Sequence, residues 1–209
     1  MRLSSLVSSE MKFVSECAMV RLQIPRRSFL QLAATAIPSS LLAQSGSVSP
    51  LARPGRVAAG SDREGKKHAV GLSSTTYKVL TRDTAGALFV MEQSNYQKGG
   101  PPRHLHHNED ELFYSLEGDY IIEIGSERVR LKAGDCVLGP RGIPHVWAFA
   151  SGSAGRLLIS FAPAGKMEAF FSEREHLGIK LGAYATTQSD AALLHAFGIE
   201  LVGPPLVVD

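Results

Sequence analysis

From about residue 69 the chain becomes a train of short apolar runs, each of strand length, punctuated by Gly, Pro, Asp or Asn. The runs are VGLSSTTYKVL, GALFVMEQS, ELFYSLEG, DYIIEIG, ERVRLKA, DCVLGP, HVWAFA and RLLISFAP. With no helix between these eight, parallel βαβ units are ruled out and the expected body is all-β, an antiparallel sandwich or barrel. In YIIEI and RVRLK apolar and polar residues alternate, the period of strands buried on one face, and Gly125 with Ser126 forms a hairpin turn between them. The tail has a different period: residues 165–178 and 189–198 space their apolar residues as helices do. Ser189 or Asp190 is a candidate cap for the second helix and Gly198 its stop.

The N-terminal segment has another composition. PRRSFLQLAATAIPSSLLA (25–43) joins Arg26 and Arg27 to a moderately apolar run of about 16 residues, shorter than the ~20 that a spanning helix needs. It resembles a twin-arginine export signal, which implies the export machinery as a partner and a periplasmic or secreted mature protein, with no permanent membrane anchor. The expected organisation is a signal over 1–44, with Met19 an alternative start, a flexible Pro- and Gly-punctuated tether over 45–68, a barrel over 69–164, and a C-terminal helical segment with a closing strand over 165–209. The formal charge of +2 owes much to the first 44 residues; beyond them 17 basic and 18 acidic residues remain. A near-neutral body without a basic stripe speaks against nucleic acid, and no helix-turn-helix precedes the barrel. Cys17 and Cys136 are the only cysteines, so the mature form has no internal disulfide and its stability must come from the core.

The stretch PPRHLHHNEDELFYSLEG (101–118) carries three histidines and four carboxylates. Packing gives no reason to gather so many ligand-capable groups, and clustered carboxylates repel one another unless compensated; a metal supplies that compensation. His104 and His106 share one face of a strand, and a four-residue excursion brings Glu111 back to that face, with Glu109 and Asp110 as competing carboxylates. His107 points the other way. A fourth ligand is offered by His145 in GDCVLGPRGIPH (134–145). Imidazole and carboxylate without thiolate suit one divalent transition metal, and Fe, Mn, Co, Ni, Cu and Zn all remain open. Cys136 is expected to be an inert packed thiol and His195 a satisfied structural residue of its helix. Phe113, Trp147 and Phe149 either line a pocket or pack the core.

Together the two segments resemble the paired signature motifs of the cupin superfamily, His-x-His, Glu and Gly in the first and Gly, Pro-x-Gly and His in the second, separated by residues 119–133. Two positions depart from the pattern: Gly99 stands one place too close to the first histidine, and Phe149 stands where asparagine is common. The resemblance implies a double-stranded β-helix, the jelly-roll barrel, with a divalent metal on His104, His106, Glu111 and His145.

Among cupins, GGPPRHLHHNEDELFYSLEG with GPRGIPHVWAF and the closing HAFGIELVGPP resembles single-domain proteins related to bacterial quercetin dioxygenases. That implies oxidation of an enolisable, flavonol-like aromatic, with Glu111 as the catalytic residue that takes the substrate hydroxyl proton. Two alternatives remain: a non-catalytic cupin that binds metal and a small molecule, and a metal-dependent isomerase or lyase. Oxygen consumption separates the first reading from both. The expected partner is a small-molecule substrate, and a homodimer is compatible with the sequence.

Overall fold

The computed structural model describes residues 55–66, 68–70, 73–177 and 188–208, all within the compact unit Ser47–Asp209. The export signal, Met19 and the first part of the tether lie outside the described residues, which begin at residue 55 near the end of the tether. There the chain is already docked: Arg63 N donates to Tyr77 O (2.8 Å), Tyr77 N donates to Asp62 Oδ2 (2.6 Å), and Lys78 Nζ donates to Ser61 O (2.6 Å).

The eight runs become strands β2 (Ser73–Val79), β3 (Phe89–Asn95), β5 (Asp110–Glu117), β6 (Tyr120–Ile124), β7 (Glu127–Leu131), β8 (Cys136–Gly139), β9 (His145–Phe149) and β10 (Gly155–Ala162). Three further strands complete the set: β1 (His68–Val70), β4 (Pro102–His106) and β11 (Ile199–Pro205). They form two antiparallel sheets, one ordered β1-β2-β3-β10-β5-β8 and the other β11-β4-β9-β6-β7. This is the expected all-β jelly-roll architecture. The β6–β7 hairpin turns at Gly125-Ser126, and Gly125 has φ +57°, a left-handed conformation that favours glycine.

Alternation decides what lies between the sheets. In β10 every second residue is buried, so Leu157, Ile159 and Phe161 face inward. They meet Phe113 from β5, Tyr120 and Ile122 from β6, and Trp147 and Phe149 from β9. Full burial of each large apolar side chain contributes about 1.5–3 kcal/mol. Phe113, Trp147 and Phe149 are thus core residues, with Trp147 4% exposed and the other two fully buried. The two departures from the motif pattern pair with each other: Gly99 N donates to Phe149 O (3.1 Å) and Phe149 N to Gly99 O (2.9 Å).

Helix α1 (Met167–His176) closes the open side of the core by burying Met167, Phe170 and Phe171. Phe171 lies 6.0 Å from Phe161 and 6.2 Å from Phe89, ring centre to ring centre. Helix α2 (Gln188–Ala196) follows, and Phe197 reaches Phe170 at 5.6 Å. Because α2 starts at Gln188, Ser189 and Asp190 sit inside its first turn and not at its cap; Gly198 does end it, with φ +78°.

Two histidine and cysteine expectations change. Cys136 is exposed and not packed, because β8 is the edge strand of its sheet and alternation turns Cys136 and Leu138 outward while Val137 packs inward. His195 is exposed on α2. His68, for which the sequence suggested no role, is buried, stacked on Tyr77 at 4.0 Å with Nδ1 2.6 Å from Glu175 Oε2. Among the described residues no helix is long and apolar enough to cross a membrane.

Candidate metal centre

His104, His106, Glu111 and His145 converge: one ligand-capable atom from each lies within 4.8 Å of all the others. The two sheets contribute unequally. β4 and β9 are neighbours in the second sheet, with His104 paired to His145, so three imidazoles project from that sheet. Glu111 is the second residue of β5 in the facing sheet, paired with Gly139 on one side and Phe161 on the other. The four residues between His106 and Glu111 therefore carry the chain from one sheet to the other. Glu111 returns to the histidines from across the barrel, and not along the same strand face as the sequence spacing suggested.

The competing carboxylates lie outside the cluster. Asp110 is bound at the rim by Arg141, whose backbone N (2.9 Å) and Nε (3.0 Å) both donate to Oδ1 while Nη2 (2.8 Å) donates to Oδ2. That clamp holds the carboxyl at about 2, well below its ordinary value. It also ties the loop of the second motif to the first, as does Gly142 N donating to His106 O at 2.7 Å. Glu109 is buried behind His106, with Oε2 3.8 Å from His106 Nδ1. His107 turns away, half-exposed beside Glu200 at 3.2 Å.

Tautomers follow from the carbonyls nearby. His104 Nδ1 lies 2.7 Å from Pro102 O and His145 Nδ1 lies 3.0 Å from Ile143 O, so each Nδ1 carries hydrogen and each Nε2 keeps a lone pair for the centre. Yet His145 Nε2 lies 2.9 Å from Glu111 Oε2, and His106 Nε2 lies 3.1 Å from the same oxygen, too poorly aligned to count as a hydrogen bond. Lone pairs facing a carboxylate oxygen call for a positive charge between them, either a proton or a metal ion. Burial alone would raise the Glu111 carboxyl, but His106 and His145 outweigh it and hold it well below the usual carboxylate range. Burial would likewise lower His145; its bond to Glu111 prevails and raises it. His104 has no such partner, and burial pushes it down to about 3, with His145 and His106 acting in the same direction.

The donor set fits a divalent transition metal. It offers three imidazoles and one ionised carboxylate, and both ring nitrogens of His106 are buried without a hydrogen-bond partner. Aromatic edges wall the site: Phe161 lies 5.5 Å from the His106 ring and Phe113 lies 5.9 Å from that of His145. Of the four residues His104 alone is not fully buried.

Residues 93–161 match the family model described as Cupin domain. Solved structures similar to the chain include KdgF from Halomonas sp., at 20% identity over 53% of this chain and 94% of that one, TM-score 0.45. The polyketide cyclase RemF from Streptomyces resistomycificus is 23% identical over 53% and 80%, TM-score 0.44. An RmlC-like cupin from Shewanella frigidimarina is 19% identical over 49% and 87%, TM-score 0.42. Among curated proteins none matches the sequence.

The shared oxygen sets a pH dependence for protein kept in chelator. His145 is raised in the fold, so its contribution is full below the unfolded value near 6.5 and is lost as pH rises through the folded value. Glu111 is lowered, so its contribution is full above about 4.5 and is lost as pH falls through the folded value. His104 is lowered to about 3, so its contribution is full above about 6.5 and is lost as pH falls. The melting temperature of chelated protein should therefore peak near pH 6.5, and Glu111→Gln should remove the decline on its alkaline side. A wild-type profile no different from that of the variant would contradict the pairing.

Proposed function

We propose that this cupin domain holds one divalent transition metal on His104, His106, Glu111 and His145 and uses it to oxidise a small enolisable aromatic, flavonol-like molecule with dioxygen. The observation that carries the metal reading is the convergence of four N/O donors within 4.8 Å, one of them a carboxylate oxygen shared by two imidazoles. The choice of reaction rests on the likeness of the two motifs to those of quercetin-dioxygenase-like cupins.

A bound metal would act as a Lewis acid toward the enol oxygen and give dioxygen a redox partner. The rest falls to the chain. His104 and His145, held by the carbonyls of Pro102 and Ile143, present fixed Nε2 lone pairs. Phe113 and Phe161 keep water from the buried side of the centre, which strengthens every charge interaction there. Glu111 is ionised across the working pH range and can accept the substrate hydroxyl proton at a carboxylate oxygen.

Metal analysis tests the first part. Wild-type protein should carry one divalent ion per chain, His104→Ala and His145→Ala should lose it, and His107→Ala should keep it. Full occupancy in either ligand variant at matched pH would remove that residue from the set. Oxygen-electrode measurements on metal-replete protein test the second part. Turnover of an enolisable aromatic should consume dioxygen, and Glu111→Gln should lower kcat by about 10²–10⁴ while substrate binding falls much less. Metal-replete protein that stabilises on ligand addition yet consumes no oxygen across a broad enol panel would favour the non-catalytic binder instead.

A further inference from the structure

Of the three imidazoles in the cluster, His106 alone lacks a backbone carbonyl at its Nδ1. His104 has Pro102 O and His145 has Ile143 O, whereas both His106 ring nitrogens are buried without a hydrogen-bond partner. Directly behind it lies Glu109, only 1% exposed, with an Oε2 that is also buried and unpartnered. The two orphaned groups face each other at 3.8 Å. A buried acceptor without a donor beside a buried donor without an acceptor costs each of them about 1–3 kcal/mol, so a pair that can close will close. Reaching hydrogen-bond length takes a movement of about 1 Å.

The surroundings have been cleared for this carboxylate. Gly165 adopts φ +51°, and a Cβ there would lie 1.8 Å from Glu109 Oε1, so a side chain at 165 would expel Glu109 from its place. Among the described residues it accepts one long hydrogen bond, from Lys166 N to Oε1 at 3.4 Å. A carboxylate used merely to brace α1 would have no reason to aim its other oxygen at the metal-facing histidine.

We infer that Glu109 is a positioning residue of the centre: its carboxylate accepts the Nδ1–H of His106 and thereby presents His106 Nε2, as a more basic ligand in a fixed orientation, to the metal. The inference rests on the metal reading proposed above. A carboxylate behind a ligating imidazole sets its tautomer and raises its basicity, and losing such a partner typically weakens metal binding 10–100-fold.

The test uses full-length protein labelled with ¹⁵N-histidine and zinc as the probe, comparing wild type with the near-isosteric Glu109→Gln. Zinc affinity by chelator competition should fall tenfold or more in the variant. Its His106 Nδ1–H resonance should move upfield, while those of His104 and His145 stay in place. If Glu109 only braces α1, Glu109→Gln lowers the melting temperature but leaves zinc affinity and the His106 resonance unchanged, and the inference fails. Wild-type protein that takes up no zinc would overturn the metal reading and the inference with it. Should the variant not fold, wild type still decides: zinc-loaded protein must show cross-relaxation between His106 Nδ1–H and the Glu109 side-chain protons, and its absence would refute the contact.

Discussion

One carboxylate oxygen, Glu111 Oε2, joins the two sheets at their most polar point. It belongs to β5 in one sheet and lies 2.9 Å from His145 and 3.1 Å from His106 in the other. All the participants are buried, and an ionised group there without a counter-charge would cost the fold about 3–5 kcal/mol. A cation among these residues, either a proton on imidazole or a metal ion, removes that cost and so stabilises the barrel. Folding and the chemistry of the site depend on the same contact.

The remaining structure can be understood as support for that contact. Backbone carbonyls of residues 102 and 143 set two imidazole tautomers, and each carbonyl lies two residues before the histidine it serves, so strand geometry alone delivers it. Phe113 and Phe161 flank the rings and raise the local strength of charge interactions. At the rim, Arg141 grips Asp110 and Gly142 donates to His106 O, so the two motif loops move together. Helix α1 seals the core with Met167, Phe170 and Phe171.

The four central residues were legible in the sequence because each motif is local: strand alternation aligns His104 with His106, and Pro-x-Gly turns place His145. What alternation cannot reveal is the sheet to which a strand belongs. Hence Glu111 was expected on the histidines' own face, whereas it arrives from the facing sheet. Among Glu109, Asp110 and Glu111 only the motif spacing singled out Glu111, since Arg141 and Gly165, which settle the places of Asp110 and Glu109, are remote in sequence. Cys136 shows a further limit. Its strand looks like any other in composition, and only the sheet order makes it an edge with an outward thiol. His68 gave no local signal because its partner Glu175 comes from α1.

X-ray absorption at the K-edge of whatever metal co-purifies with the protein from its own compartment tests the central claim most directly, because it reads the ligand atoms without assuming a reaction. The account predicts a first shell of nitrogen and oxygen only, at about 2.0–2.2 Å if the metal is zinc, with the outer-shell scattering of about three imidazoles. A sulfur scatterer, an all-oxygen shell without imidazole, or protein that carries no metal would contradict it.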